Sequence, residues 1–361
     1  YCSFNSIPIP QNDLLVTRYL QALEREIALY ASCCQNESLS SIYLGGGTPT
    51  VLTADSLCQI LFCCRENFAF SPEIEITIEA NPGTVTEEML QLLREAGVNR
   101  LSLGVQSFQP AELQLLGRSH TVSDVYAAYD AARKAGFDNV NLDLIYALPG
   151  QSLQTWRDNL CSAIQLDPDH LSIYGLSLER DTPLAHDLER GKLEPCSEEM
   201  QISMWEETAS IVAEAGFIRY EISNYARPGK ACRHNITYWE NKPYLGVGAG
   251  AHGYYGHVRY GNEEGIQKYI EMVEKGEFPR AFEEHQTQKE EMVDTIIMGL
   301  RLTKGLSRLD FTRRFGCSFE SLYEKQLRKM VEDGLMGISD EAIFLTDRGR
   351  ILSNYVFSCF V

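Results

Sequence analysis

Four groups of residues in this chain have types and spacings suited to chemistry. The first is Ile42-Tyr43-Leu44 running into Gly45-Gly46-Gly47-Thr48-Pro49-Thr50. Without side chains, the backbone N–H and C=O groups of the glycines can approach a ligand edge closely, and dihedrals closed to other residues become available. No Gly-Lys-Ser/Thr follows and the G-x-G-x-x-G spacing fails, so neither a Walker A loop nor a dinucleotide fingerprint is present. A tight strand-to-helix turn is the plainer use of the same residues. The second group is Glu79, Gln106, Arg118 and Asp143. Glu79 and Asp143 stand in otherwise apolar runs, where a buried carboxylate is costly unless something pairs with it. Either a polar ligand meets them or they form a buried network, with Asp143 against Arg118.

The third group is Cys232-Arg233-His234-Asn235-Ile236-Thr237-Tyr238-Trp239, followed by Gly246-Val247-Gly248-Ala249-Gly250-Ala251-His252. It offers rings to stack on a flat apolar macrocycle and an imidazole for a metal; a histidine satisfied within the core is the plainer use. The fourth is a basic set near the carboxyl end: Lys304, Arg308, Arg313, Arg314, Lys325, Arg328 and Lys329. It could touch DNA phosphates or merely surround a packing module. The charge balance favours packing. With 32 Lys+Arg against 50 Asp+Glu, a net −18, the 361-residue chain is a poor partner for nucleic acid.

At roughly 150 residues per domain the length predicts two or three domains, and 44% hydrophobic with 23% charged residues is a globular composition. No apolar run approaches the roughly 18 residues of a membrane span. The 11 cysteines include no C-x-x-C pair, so a disulfide framework is not expected. Cys33-Cys34 and Cys63-Cys64 read as small buried or half-buried hydrophobes in helices, in a reducing cytoplasm. The chain opens on Tyr1-Cys2 with no Met, basic region or apolar leader, and reads as a fragment.

To position these groups, residues 40–225 alternate short β-rich runs with amphipathic ones, the pattern of βα units around a parallel sheet. The expected strands are Ser41–Leu44, Glu75–Glu79, Arg100–Gly104, Asn139–Tyr146, His170–Leu176 and Ile218–Ser223, read as apolar and buried on both faces. Helices are expected over Thr86–Ala96, Ser123–Ala135 and Ser197–Ala215, with Thr86 and Ser197 as caps and Gly97, Gly136 and Gly216 as stops. Periodicity alone does not separate a doubly wound sheet from a barrel; polar groups at four consecutive strand ends favour a barrel mouth. Beyond Tyr225, a Gly-, Tyr- and His-rich stretch precedes a helix over Gly265–Glu277 and a linker over Gly276–His285. Helices over Lys289–Thr303, Ser307–Phe315 and Ser318–Glu332 and a ribbon at Gly337–Thr346 then give a winged-helix outline.

With these groups assembled, the sequence resembles the oxygen-independent coproporphyrinogen-III-oxidase-like branch of the radical S-adenosylmethionine (SAM) superfamily, on its haem-chaperone side. The likeness runs in order from Tyr1-Cys2-Ser3-Phe4-Asn5-Ser6 to the carboxyl end. It implies an α/β fold: a radical-SAM partial (β/α)6 TIM-type barrel over 1–226, a haem-binding segment and linker over 227–285, and a small C-terminal winged-helix-like α/β domain over 286–361. In that family a C-x3-C-x2-C loop carries a [4Fe–4S] cluster whose fourth iron is chelated by SAM. Cys2 corresponds to the third cysteine, and the first two would lie upstream of Tyr1. Carried over residue by residue, the resemblance implies SAM contacts from Gly46, Gly47, Thr48, Glu79, Gln106, Arg118 and Asp143, with Ser177 and His252 as further candidates.

The oxidase carries a fourth cysteine two residues after the third, where this chain has Phe4, as the chaperone does. His234-Asn235-x-x-Tyr238-Trp239 matches the H-N-x-x-Y-W motif of the chaperone, implying His234 as haem-iron ligand with Tyr238 and Trp239 lining the site. The resemblance thus implies a carrier that binds haem, a [4Fe–4S] cluster and SAM and delivers haem to acceptor apoproteins, in the cytoplasm, with respiratory acceptors and peripheral membrane contact both compatible. The rival is oxidative decarboxylation of coproporphyrinogen III, an enzymatic reading set against the carrier one.

Overall fold

The computed structural model describes Tyr1, residues 13–34 and residues 37–361, and it resolves into two compact units. One comprises residues 1–20, 34–219 and 223–231; the other comprises 21–33, 220–222 and 232–361.

The first unit is built on β1 (Ser38–Leu44), β2 (Ala69–Ala80), β3 (Arg100–Gln106), β4 (Val140–Tyr146), β5 (His170–Gly175), β6 (Ile218–Arg219) and β7 (Asn224–Ala226). The sheet order is β1-β2-β3-β4-β5-β7-β6. β1 to β5 are parallel and pair in sequence order, without the reversal that defines a doubly wound sheet. This is a parallel-rich half-barrel. Its expected sixth strand, Ile218–Ser223, is shorter: within this sheet Ile218 and Arg219 pair, at the edge, and the antiparallel β7 stands between them and β5.

The strands are not apolar on both faces, as the sequence reading had them. Ile76, Ile78, Leu101, Leu103, Leu142 and Leu144 are fully buried in a core shared with helical Leu61, Leu90, Leu93, Val125 and Trp156. The alternate residues, Glu75, Thr77, Glu79, Arg100, Ser102, Asn141, Asp143, His170 and Ser172, take the opposite face. Successive side chains of a strand point to opposite sides, so one polar residue in two yields a polar surface turned away from the helices. A closed TIM barrel fills that side with branched apolar residues; this one keeps it hydrophilic. Burial of each large apolar side chain on the helix-covered face contributes about 1.5–3 kcal/mol.

The helix signals are local and hold. The Thr86 side chain accepts from the Met89 N–H at the start of Glu87–Glu95, and Ser197 accepts from Met200 at the start of Glu198–Glu214. The helix expected from Ser123 spans Val122–Lys134 and is closed by a full capping box between Thr121 and Asp124.

In the second unit, β8 (His252–Tyr255), β9 (Val258–Asn262) and β10 (Arg280–His285) form one antiparallel sheet. The linker expected over Gly276–His285 is therefore a strand in its larger part: its register with β9 satisfies the backbone that a linker would leave to water. The winged-helix outline is present as Gln288–Gly299, Arg308–Phe315, Phe319–Leu322 and Glu324–Glu332. The third expected helix is broken at Tyr323, whose φ of −124° and ψ of 31° leave the helical region. β11 (Leu306–Ser307), β12 (Met336–Ile338) and β13 (Ala342–Leu345) complete a small sheet in which β13 is central. Phe311, Phe315, Phe319 and Phe360 pack its core.

Candidate functional site

The carboxyl ends of β1, β2 and β3 carry Gly46, Glu79 and Gln106, while Asp143 lies mid-strand in β4 and Arg118 follows the helix Pro110–Leu115. At the end of β1, Gly46 has φ +117° and open space where a side chain would stand, while a Cβ on Gly45 would lie 2.7 Å from the Tyr43 ring. Glycine is required at the first by conformation and at the second by close approach. The two oxygens of Glu79, at the end of β2, are each held: Tyr43 OH donates to Oε1 at 2.7 Å and the Gly46 N–H donates to Oε2 at 3.2 Å. Burial, and then the nearby Asp143 carboxylate, push the Glu79 carboxyl up to about 7, against the two hydrogen bonds and the Arg100 charge that pull it down.

Gln106 ends β3 at φ +68°, left-handed for a residue with a side chain, just after the β3–β4 register shifts. Such backbone costs on the order of 1 kcal/mol or more and concentrates at functional sites. Arg118 donates from Nη2 to the Gly104 carbonyl at 2.7 Å and from Nη1 to Tyr1 OH at 3.5 Å; its buried Nε has no acceptor among the described residues. Tyr1 also packs against Leu116, Ile145 and Leu148. Cys2, expected as a cluster ligand, lies outside the described residues.

Asp143 does not pair with Arg118. Its Oδ1 accepts from Asn141 Nδ2 at 2.8 Å and its Oδ2 from Ser102 Oγ at 3.3 Å. Asn141 also bonds His170 Nδ1 at 2.6 Å and Ser172 Oγ at 3.1 Å. Burial, and then the Arg100 charge, hold His170 well below its usual range, so the imidazole is neutral. Asp143 belongs to a cross-strand polar floor, and the charge of the buried Arg100 acts on its carboxyl.

In the second unit, the helix Arg233–Trp239 puts His234 and Tyr238 four residues apart on one face. His234 Nε2 lies 2.7 Å from Tyr238 OH, and the Tyr238 ring meets Tyr244 edge-on at 4.5 Å. Trp239, five residues from His234, points elsewhere: Arg301 stacks on it at 4.4 Å and its buried Nε1 has no acceptor among the described residues. The three expected residues are thus on one helix but not on one face. Further along, the Gly248 N–H, Tyr269 OH and Asn262 Nδ2 all donate to Glu26, a wholly buried carboxylate.

The Radical SAM superfamily pattern matches residues 1–160, and the HemN C-terminal domain pattern matches residues 286–352. Over the whole chain the sequence is 37% identical to the heme chaperone HemW of Bacillus subtilis, covering 95% of that protein. It is 36% identical to that of Lactococcus lactis, covering 93%. The chain belongs to the HemW family of radical SAM proteins. The solved structure of coproporphyrinogen III oxidase (HemN) from Escherichia coli superimposes with a TM-score of 0.85 at 26% identity, over 99% of this chain and 86% of that one. Against this HemW-family background, Tyr43 and Arg100 in the first unit and Glu26 in the second are residues the sequence did not point to. Tyr43 could have been found from its place two residues before the glycines. The other two had no local signal, since their partners are distant in sequence.

Proposed function

We infer that this chain is a haem chaperone: it binds haem, a [4Fe–4S] cluster and SAM, and passes haem to acceptor proteins. One observation carries the reading, the full-length 37% identity to a HemW chaperone against 26% to the oxidase. When bound, the cluster and SAM supply the one-electron chemistry of the superfamily.

The residues at the barrel mouth fit SAM. An open glycine loop, a buried Arg118 Nε with no acceptor among the described residues, the Gln106 amide and the Glu79 carboxylate offer donors and acceptors to an amino acid and a nucleoside at once. Gly46, Gly47, Thr48, Glu79, Gln106 and Arg118 are the proposed contacts, with Asp143 supporting them from the floor. His234 is the proposed haem ligand. Its Nε2 already carries a hydrogen bond to Tyr238, so coordination through that nitrogen requires Tyr238 to turn aside, while Tyr244 gives a ring edge beside it.

The assignment extends to residues 1–226 as the SAM core, 227–285 as the haem segment and 286–361 as the terminal domain, and to a cytoplasmic setting with respiratory acceptors and peripheral membrane contact. Among the described residues no helix is long and apolar enough to cross a membrane. Haem titration is the test: His234→Ala loses the stoichiometric Soret band, and an unchanged band overturns the ligand assignment. Anaerobic incubation with coproporphyrinogen III and SAM tests the rival. Formation of protoporphyrinogen at catalytic rates would replace the chaperone reading with the oxidase one.

A further inference from the structure

We propose that Tyr43 is the positioning residue of the SAM site, its hydroxyl fixing the plane of the Glu79 carboxylate so that the remaining lone pairs face the ligand. The inference rests on the reading that Glu79 contacts SAM. Tyr43 and Glu79 are 36 residues apart and meet because β1 and β2 are parallel, with Tyr43 opposite Thr77, one pleat before Glu79. The phenol and the Gly46 N–H come from the same strand and its loop, and they take one carboxylate oxygen each. A carboxylate held at both oxygens cannot rotate, and its remaining lone pairs are left for a third donor.

The ring is fixed as well as the hydroxyl. It lies against Gly45, so closely that any side chain there would strike it and then Glu79 Cδ at 3.1 Å. The phenol stays a donor: burial first, and then the Glu79 and Asp143 carboxylates, hold it well above the usual tyrosine range. It is therefore neither a base nor an anion competing for the ligand. Losing its hydrogen bond removes the largest influence that favours ionised Glu79.

The test is SAM binding across pH on protein carrying its reconstituted cluster, for the native chain, Tyr43→Phe and Glu79→Gln, with the thermal midpoint measured alongside. Tyr43→Phe keeps the ring and removes only the donor. At pH 7 its affinity falls about ten-fold, the loss expected for one hydrogen bond to a charged group. The pH midpoint of binding moves up, and affinity recovers to within about three-fold of native at high pH, as the weakened carboxyl ionises. A native-like Tyr43→Phe at pH 7, or one weakened by the same factor at every pH, overturns the proposal. Glu79→Gln separates the two layers: native SAM affinity there overturns the reading that Glu79 contacts SAM, whatever Tyr43→Phe does. If Tyr43→Phe binds SAM too weakly to assay, the ionisation of Glu79, followed by carbon NMR in the SAM-free native chain and in Tyr43→Phe at low temperature, decides. A higher Glu79 midpoint in Tyr43→Phe than in the native chain supports the proposal, and an equal or lower one overturns it.

Discussion

Glu79 and Asp143 lie on the same sheet face, yet their neighbours give them different work. Glu79 takes one donor on each oxygen and sits beside the open glycine loop; both Asp143 oxygens are occupied by Asn141 and Ser102 within the sheet. That each carboxylate needed a partner was legible from an acid in an apolar run. Which partner was not, because the candidates are brought up by strand register. The same logic applies to His234. On the proposed ligation, its hydrogen bond to Tyr238 would compete with iron for Nε2, so Tyr238→Phe should bind haem two- to ten-fold more tightly, the release of about 0.5–1.5 kcal/mol for a neutral hydrogen bond. Haem titration by absorbance checks this. Weaker binding would show instead that the Tyr238 hydroxyl holds haem directly.

At the scale of elements, local rules were reliable wherever a cap or a stop is decided within four residues. Thr86, Ser197 and Gly216 end helices as read, because the side chain or dihedral that does so is part of the segment itself. The strands were located but their faces were misread: Thr77 and Ser102 suit either face, while Glu75, Arg100, Asn141 and His170 mark the alternation between the apolar residues. The β1 loop offers a prediction here. Gly45→Ala would set a methyl 2.7 Å from the Tyr43 ring, overpacking that costs about 1–3 kcal/mol. The expected outcome is a lower thermal midpoint together with weakened SAM binding, as the ring and its hydroxyl are pushed off Glu79. A stable variant with native SAM affinity would mean that the loop absorbs the methyl by moving.

For the molecule as a whole, the expected alternation of βα units and the winged-helix outline were both legible, and the family is common to the whole chain. Glu26 was not, though it ties together Gly248, Asn262 and Tyr269 more than 200 residues away. Its burial, opposed by those hydrogen bonds, raises the carboxyl from 4.5 to about 7. The folded chain therefore holds this proton more tightly than the unfolded chain does. The stabilisation is complete below pH 4.5 and is lost as the pH rises through 7, a change of about 3 kcal/mol. Glu26→Gln, uncharged throughout, should flatten the decline of unfolding free energy between about pH 5 and 8 by up to that amount; denaturant melts at both pH values measure it, and an unaltered slope would contradict the raised value. By itself the sequence determined what short-range physics can encode: strand and helix succession, caps, glycine turns and the identity of the reactive groups. Only the tertiary structure decided which strand face is polar, how the sixth strand is cut short and which distant residue clamps each carboxylate. Those outcomes depend on register and burial, which are set by packing between segments far apart in the chain.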